Sequence, residues 1–403
     1  MAERPRHEVA EIFQRYLEVL RRTGAEPTWS WEQRAVVAPI LACRTARLGG
    51  HIDACDACGY QQISYNSCRN RHCPKCQGSA QTAWLEARQA DVLPVPYAHV
   101  VFTIPQALAP LVLQNKRVLY DLLMRTVAKT LQEVALNPKH LGARLGFFAI
   151  LHTWGQALVH HPHVHCVVPA GGLSEDGRTW CACRPGFFLP VRVLSRLFRG
   201  KFVAGLRDAF DESRLELHGS LARYRSSRAF DGLLRESVRT EWVVYAKPPF
   251  DGPERVLKYL ARYTHRIAIS NHRLLHVDDE AVTFRYKDYR GRRSRSLSLP
   301  LAEFTRRFLL HVLPKGFVRI RHYGFLANGC RQRLLACCRD ALGQPERTPV
   351  SAESQPDSDH DPLFELLPLT LTLCPNCGRG PLRCIEVLGR PPPHRVRVHR
   401  VAA

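Results

Sequence analysis

Val9, Ile12, Phe13, Tyr16, Leu17 and Leu20 recur at three- and four-residue spacing, which predicts an amphipathic helix near the start of the chain. Residues 97–104 form a nearly continuous apolar run and read as a buried strand. A helical pattern follows over about 108–134, and Asn137-Pro138 should break it. Residues 145–154 and 163–168 are two further β-rich runs, joined by a loop over 155–162. With so short a connection they are most simply an antiparallel pair, and Gly171-Gly172 and Asp176-Gly177 should close the unit with turns. Downstream, the pattern predicts a helix over 190–206 and a strand over 241–247 that ends at Pro248-Pro249. A helix over 254–266 and short strands near Ile267, Arg273 and 282–286 follow. Residues 345–362, rich in Pro, Ser and Asp, read as a linker, and the tail ends in a Pro/Arg/His stretch expected to be disordered.

One segment breaks the hydrophobic pattern. From Cys43 to Cys76 the chain is Cys, His, Gly, Asn and Arg with little aliphatic content, too polar to build its own core. It contains Cys55-x2-Cys58, fourteen residues, then Cys73-x2-Cys76. Two such knuckles can fold back to place four thiolates at the corners of a tetrahedron, so Cys55, Cys58, Cys73 and Cys76 are the expected ligands of a structural Zn2+. Cys43, His51, Cys68 and His72 are left over. They form a second site, or His72 or Cys68 replaces one of the four, or they are buried or pair with phosphate. Arg69, Arg71 and Lys75 on this metal-held loop suit contacts to DNA. A further zinc on Cys374 and Cys377 would need two of Cys330, Cys337, Cys338 and Cys384.

Charge sharpens the picture. Among 403 residues, 58 Lys+Arg against 36 Asp+Glu give +22, while hydrophobic (45%) and charged (23%) content is that of an ordinary globular chain. So basic a protein is expected to meet a polyanion. No apolar run approaches the roughly 20 residues of a membrane span, and residues 1–7 carry no signal-peptide core. Fifteen cysteines in such a chain suggest metal sites rather than disulfides. The expectation is a cytosolic DNA- or RNA-binding protein with zinc and no membrane partner.

Two smaller patterns carry candidate chemistry. His163-Val164-His165 lies on an expected strand, where residues two apart point to one face. Two imidazoles so placed can hold a divalent metal and leave positions open for a phosphate oxygen, although such a pair is as readily structural. Tyr259 and Tyr263 lie on the expected helix, four residues apart and therefore on one face. That spacing usually means packing. Here Lys258, Arg262, His265 and Arg266 crowd the same nine residues, and phenols beside cations deprotonate more easily.

Taken together, the cysteine segment, the run 151–172 and the run 258–270 resemble, in order, the HUH rolling-circle transposases of the insertion sequence 91 type. The stretch 64–77 and the stretch 315–324 add to the resemblance, which spans roughly residues 10–340 and leaves out the tail beyond about 345. The resemblance implies an α+β fold: a zinc-ribbon-like domain at 1–96 and an HUH nuclease domain, an antiparallel sheet flanked by helices, at 97–344. The linker and Cys-containing basic tail would occupy 345–403. It further implies Mg2+ or Mn2+ on His163 and His165, with Tyr259 and Tyr263 as nucleophiles toward single-stranded DNA. The product would be a 5′-phosphotyrosine and a free 3′-hydroxyl, and Lys258, Arg262 and Arg266 would bind single- and double-stranded DNA at element ends and target. The third metal ligand is expected upstream of the pair, His152 first and Gln156 second. A plasmid relaxase or replication initiator would use the same chemistry. A zinc-dependent regulator without catalysis would need neither the histidine pair nor the tyrosine pair.

Overall fold

The computed structural model describes residues 5–250, 267–288, 293–343 and 373–391. Helix α1 (Val9–Arg22) buries Val9, Ile12 and Phe13, the face that the spacing predicts. Helix α2 (Trp31–Ala42) starts at a capping box: the Ser30 hydroxyl accepts from the Gln33 backbone N–H and the Ser30 N–H donates to the Gln33 side chain. A hairpin follows, β1 (Gly50–Cys55) and β2 (Gln61–Tyr65), and then α3 (Gln77–Arg88). Strand β3 (Tyr97–Thr103) matches the apolar run. The long helical pattern after it is two helices, α4 (Ala109–Gln114) and α5 (Lys116–Leu136), because the Asn115 side chain turns back to bond the Leu111 carbonyl.

Strands β4 (Gly146–Trp154) and β5 (His160–Pro169) pair antiparallel, and β5 begins three residues before the expected start. Gly171-Gly172 is not a turn but part of strand β6 (Gly171–Leu173), which pairs with β7 (Trp180–Ala182) around the expected turn at Asp176-Gly177. Helices α6 (Val191–Asp211) and α7 (Ser227–Ser237) lead to β8 (Val244–Phe250). A second sheet comprises β9 (Leu274–Val277), β10 (Ala281–Asp288) and β11 (Arg293–Pro300), followed by α8 (Leu301–Leu310). Strand β12 (Ile320–Gly324), α9 (Arg331–Ala341) and β13 (Leu382–Leu388) complete the described chain. The expected helix at 254–266, with Tyr259, Tyr263, Lys258, Arg262 and Arg266, lies outside the described residues, as does the expected linker.

The central sheet is antiparallel throughout, in the order β12-β4-β5-β3-β8, which puts β5 in the middle. Period-two alternation divides its side chains. Phe102, Phe147, Leu151, Val164 and Cys166 face α5, α6 and α7 in the largest core. On the opposite face Tyr97, Phe148 and Val167 pack with Leu335 and Cys338 of α9, and Trp84 of α3 packs on their edge. The rest of that face carries histidines. The turn after β12 is tight: Gly324 has φ +61°, and a Cβ there would lie against the Leu145 carbonyl. The fold is α+β, an antiparallel sheet flanked by helices, as expected. No helix among the described residues is long and apolar enough to cross a membrane.

The N-terminal helices pack on the second sheet, not on the cysteine segment alone. Ile12, Phe13, Val36 and Ile40 share a core with Leu274, Phe284, Phe304 and Phe308. The expected boundary at residue 96 is therefore crossed by a common hydrophobic core.

Candidate metal centre and cysteine sites

Register builds the histidine pocket. His152 on β4 is the cross-strand partner of His163 on β5, and His165 follows two residues along the same face. The three side chains converge: one ligand nitrogen from each lies within 4.8 Å of the others. His152 and His165 are buried, while His163 is only partly covered and forms the open side. The ring of Trp154 stacks on His152 with centroids 4.7 Å apart, holding one wall.

Hydrogen bonds set which nitrogens face inward. His163 Nδ1 lies 2.7 Å from the His161 carbonyl oxygen, which only accepts. The proton therefore sits on Nδ1, and the lone pair that could face a metal is that of Nε2. His165 Nδ1 lies 2.8 Å from Nε2 of His99, a buried β3 residue whose ring is parallel to that of His165. Burial, helped by Lys247 and His163, pushes His99 down to about 3, so it stays neutral and can accept the His165 Nδ1 proton. Sequence reasoning missed His99. The signal was a histidine inside a run expected to be a buried strand, which needs a partner. Lys247, the cross-strand neighbour of His99 on β8, is exposed at the same edge. Gln156, the second choice for the third ligand, turns away: its side-chain oxygen accepts from the Lys287 backbone N–H at 3.4 Å.

The cysteines do not group as the spacing suggests. Cys55 and Cys58 lie at the tip of the β1–β2 hairpin, whereas Cys73 and Cys76 lie near its base, where Gly50 pairs with Tyr65. Five strand residues at about 3.3 Å each separate tip from base by roughly 17 Å. The single four-cysteine site expected on Cys55, Cys58, Cys73 and Cys76 is thus split by a hairpin that the polar composition hides. At the base, Cys43 from the end of α2 and Cys68 after β2 join Cys73 and Cys76. Their sulfurs lie 3.5 Å (Cys43 to Cys76) and 3.6 Å (Cys68 to Cys76) apart. Four thiolates at about 2.3 Å from a tetrahedral zinc stand about 3.8 Å apart, so this set fits the ion. Hydrogen bonds from Cys43, Cys68 and Cys73 hold the Cys76 thiol far below the ordinary thiol range. His72 is not a ligand: its Nε2 accepts from the Leu313 N–H at 3.5 Å, and desolvation pushes its pKa down, keeping it neutral.

Cys374 and Cys377 also have other partners than expected. They meet Cys55 and Cys58. Of the partners expected for them, Cys338 is buried in the α9 core, Cys330 donates to the Gly324 carbonyl and Cys384 to that of Glu386.

The basic residues of the cysteine loop divide. Arg69 is exposed. Arg71, expected to touch DNA, instead turns inward, its guanidinium donating to the Phe317 carbonyl and, at 2.9 Å, to that of Pro314. Lys75 is engaged by Glu8 at 2.8 Å. Both are spent on holding the cysteine loop against the rest of the chain.

The architecture agrees with sequence relationships. A family model described as "Putative transposase" matches residues 146–333, and the "Transposase zinc-binding domain" model of the IS91 type matches residues 12–104. The class is that of transposases. A Sinorhizobium fredii (strain NBRC 101917 / NGR234) protein described as "Putative transposase y4qJ" is 53% identical over 382 residues, 94% of this chain and 95% of that one. The transposase for insertion sequence element IS801 of Pseudomonas savastanoi pv. phaseolicola is 32% identical over 298 residues, 72% of this chain and 70% of that one. The chain belongs to the IS91-type transposase family. Among solved structures, the conjugative relaxase TrwC in complex with oriT DNA, metal-free, is similar over 61% of this chain and 72% of that one, at 15% identity. The TM-score of that match is 0.25.

Proposed function

We propose that this transposase nicks and rejoins single-stranded DNA at insertion-sequence ends through a 5′-phosphotyrosine intermediate, driving rolling-circle transposition. The observation that carries the proposal is the convergence of His152, His163 and His165 on one face of the two central strands. Buried histidines that serve only as core do not present three ligand nitrogens to one another. These three residues would hold a divalent cation, and three imidazoles suit Mn2+ better than Mg2+, which prefers oxygen. The chemistry such an ion supplies is charge neutralisation at a phosphate oxygen. His99 keeps the His165 ring oriented, the His161 carbonyl does the same for His163, and Trp154 packs on the His152 ring and walls that side of the pocket. The exposed Lys247 and Arg69 would contact the DNA backbone.

Tyr259 and Tyr263 are the proposed nucleophiles. A phenolate oxygen attacks the scissile phosphorus in line, the bond from phosphorus to the 3′ oxygen breaks, and that oxygen takes up a proton to become the 3′-hydroxyl. The reverse attack by a 3′-hydroxyl releases the tyrosine, so no nucleotide is consumed. Tyr263, nearer Thr264, His265 and Arg266 in sequence, is proposed for the first cut. Cys43, Cys68, Cys73 and Cys76 would hold a structural zinc that shapes the DNA-binding loop.

The test is incubation with single-stranded DNA carrying the element's end, followed by denaturing electrophoresis. The native protein should shift as a covalent adduct in the presence of Mn2+. Tyr259→Phe with Tyr263→Phe keeps both rings and removes both oxygens, and should leave the DNA unlinked while binding persists. An adduct surviving in that double variant removes the pair from the mechanism.

A further inference from the structure

The sheet β13-β1-β2 joins parts of the chain more than three hundred residues apart. Strand β13 pairs antiparallel with β1 from Gly50↔Leu388 to Cys55↔Leu382, with one bulge between Ile52 and Asp53. Yet β2 and β13 contain no buried residue, and in β1 only Gly50 and Cys55 are buried. So small a sheet without an apolar core is not stable on its own. Something other than hydrophobic burial must hold the C-terminal segment in place.

The two chain segments present matching turns. Cys55-Asp56-Ala57-Cys58-Gly59 and Cys374-Pro375-Asn376-Cys377-Gly378 are both C-x2-C-G. The glycines have φ of +70° and +67°, and the Gly59 and Gly378 N–H groups donate to the carbonyls of Cys55 and Cys374 at 3.0 and 2.8 Å. The Cys55 N–H donates to the Tyr60 carbonyl and the Cys374 N–H to that of Gly380, at 2.9 and 2.8 Å. The sulfurs then face one another: Cys55 to Cys377 and Cys58 to Cys374 are both 3.7 Å, close to the edge of a zinc–thiolate tetrahedron at about 3.8 Å. Ala57 N–H at 3.4 Å from Cys55 Sγ and Asn376 Nδ2 at 3.7 Å from Cys58 Sγ place donors on the thiolates. Gly380 lies so close that a Cβ there would stand 2.6 Å from Cys55 Sγ and 2.7 Å from the Ala57 Cβ.

We propose that Cys55, Cys58, Cys374 and Cys377 bind a second structural zinc, and that this ion clasps the C-terminal segment onto the N-terminal hairpin. Both family models leave residues 374–391 out. The clasp is independent of the histidine pocket and of the zinc on Cys43, Cys68, Cys73 and Cys76. It makes the tail a strand of the zinc-binding module and ties the two ends of the chain together around the transposase domain.

Metal analysis of the purified full chain tests this. Two zinc ions per chain are expected. Cys374→Ser with Cys377→Ser should remove one and keep the other, with unchanged helical circular dichroism. Gly380→Val, which leaves every thiol in place, should lose the same ion because its side chain wedges the two turns apart. A readout without any substitution is alkylation. Cys58 is exposed, yet zinc should protect it, together with Cys377, from iodoacetamide until a chelator is added, with at least a tenfold slower reaction. One zinc in the native protein, two in the double-serine variant, iron in place of zinc, or fast alkylation of Cys58 without chelator would each overturn the proposal.

Discussion

His99 shows how much one side chain decides in this pocket. It is not among the three convergent histidines, yet its Nε2 at 2.8 Å from His165 Nδ1 sets which nitrogen of His165 turns toward them. Without it, His165 is free to rotate or to carry its proton on the metal-facing nitrogen. Loss of such a partner typically weakens metal binding about 10- to 100-fold. His99→Phe should therefore raise the Mn2+ concentration for half-maximal adduct formation by about that factor. Saturating Mn2+ should restore most of the adduct, and His99→Gln, which retains a polar atom near Nε2, should recover part of the affinity. An unchanged Mn2+ titration in His99→Phe would show that the contact is only packing.

Among the elements, the segment that leaves α8 buries Val312, Leu313 and Phe317 and is also held through its backbone carbonyls. Lys116 Nζ donates to the carbonyls of Leu310 and Val312 at 2.8 and 2.9 Å, and Arg71 to those of Pro314 and Phe317. A cation at the end of α8 also meets the negative end of the helix dipole. Arg71→Ala removes the side-chain donor to the Phe317 carbonyl, while the Pro314 carbonyl keeps the Phe317 N–H, and should destabilise the fold by about 1–3 kcal/mol in denaturant unfolding. Arg69→Ala, two residues away on the exposed side, should cost less stability than Arg71→Ala and weaken DNA binding, lowering the slope of log affinity against log salt by about 1. If the effects of the two variants were exchanged, the assignment of Arg71 to structure would be wrong.

The same pair marks what the sequence can reveal. Residue type and spacing identified a basic loop but not which arginine turns inward, because that depends on carbonyls 243 and 246 residues downstream. Strong alternation and apolar runs made α1, β3, β4 and β5 legible, and with them the face shared by His163 and His165. Register between β4 and β5 then brought His152 into the pocket, whereas the buried-strand position of His99 announced the need for a partner but not which one. The cysteine partners were hidden for a similar reason: C-x2-C fixes a turn but not the turn it meets, so Cys43 with Cys68 and Cys374 with Cys55 emerge only once β1, β2 and β13 are paired.

At the scale of the whole molecule, the chain does not divide where its motifs do. The histidine sheet and its helices form one core, but α1 and α2 form another with the second sheet and α8. Phe13 meets Phe308 edge-on at 5.4 Å, the Val9 N–H donates to Asn271 Oδ1, and Arg15 and Arg22 both pair with Asp279. Cutting at residue 96 would expose Leu274, Phe284, Phe304 and Phe308 together, a patch far too apolar for a stable surface. A fragment spanning 97–343 is therefore expected to bind a hydrophobic dye and unfold without a cooperative transition, even though it carries every histidine of the pocket. Co-expression with residues 1–96 should restore the transition. Within the full chain, Phe13→Ala should cost about 3–5 kcal/mol and raise susceptibility to proteolysis in β9–β11, far from the substitution in sequence. A cooperative, dye-free 97–343 fragment would show instead that the second sheet is stable without the N-terminal helices, and that the shared core is a docking contact between independent domains.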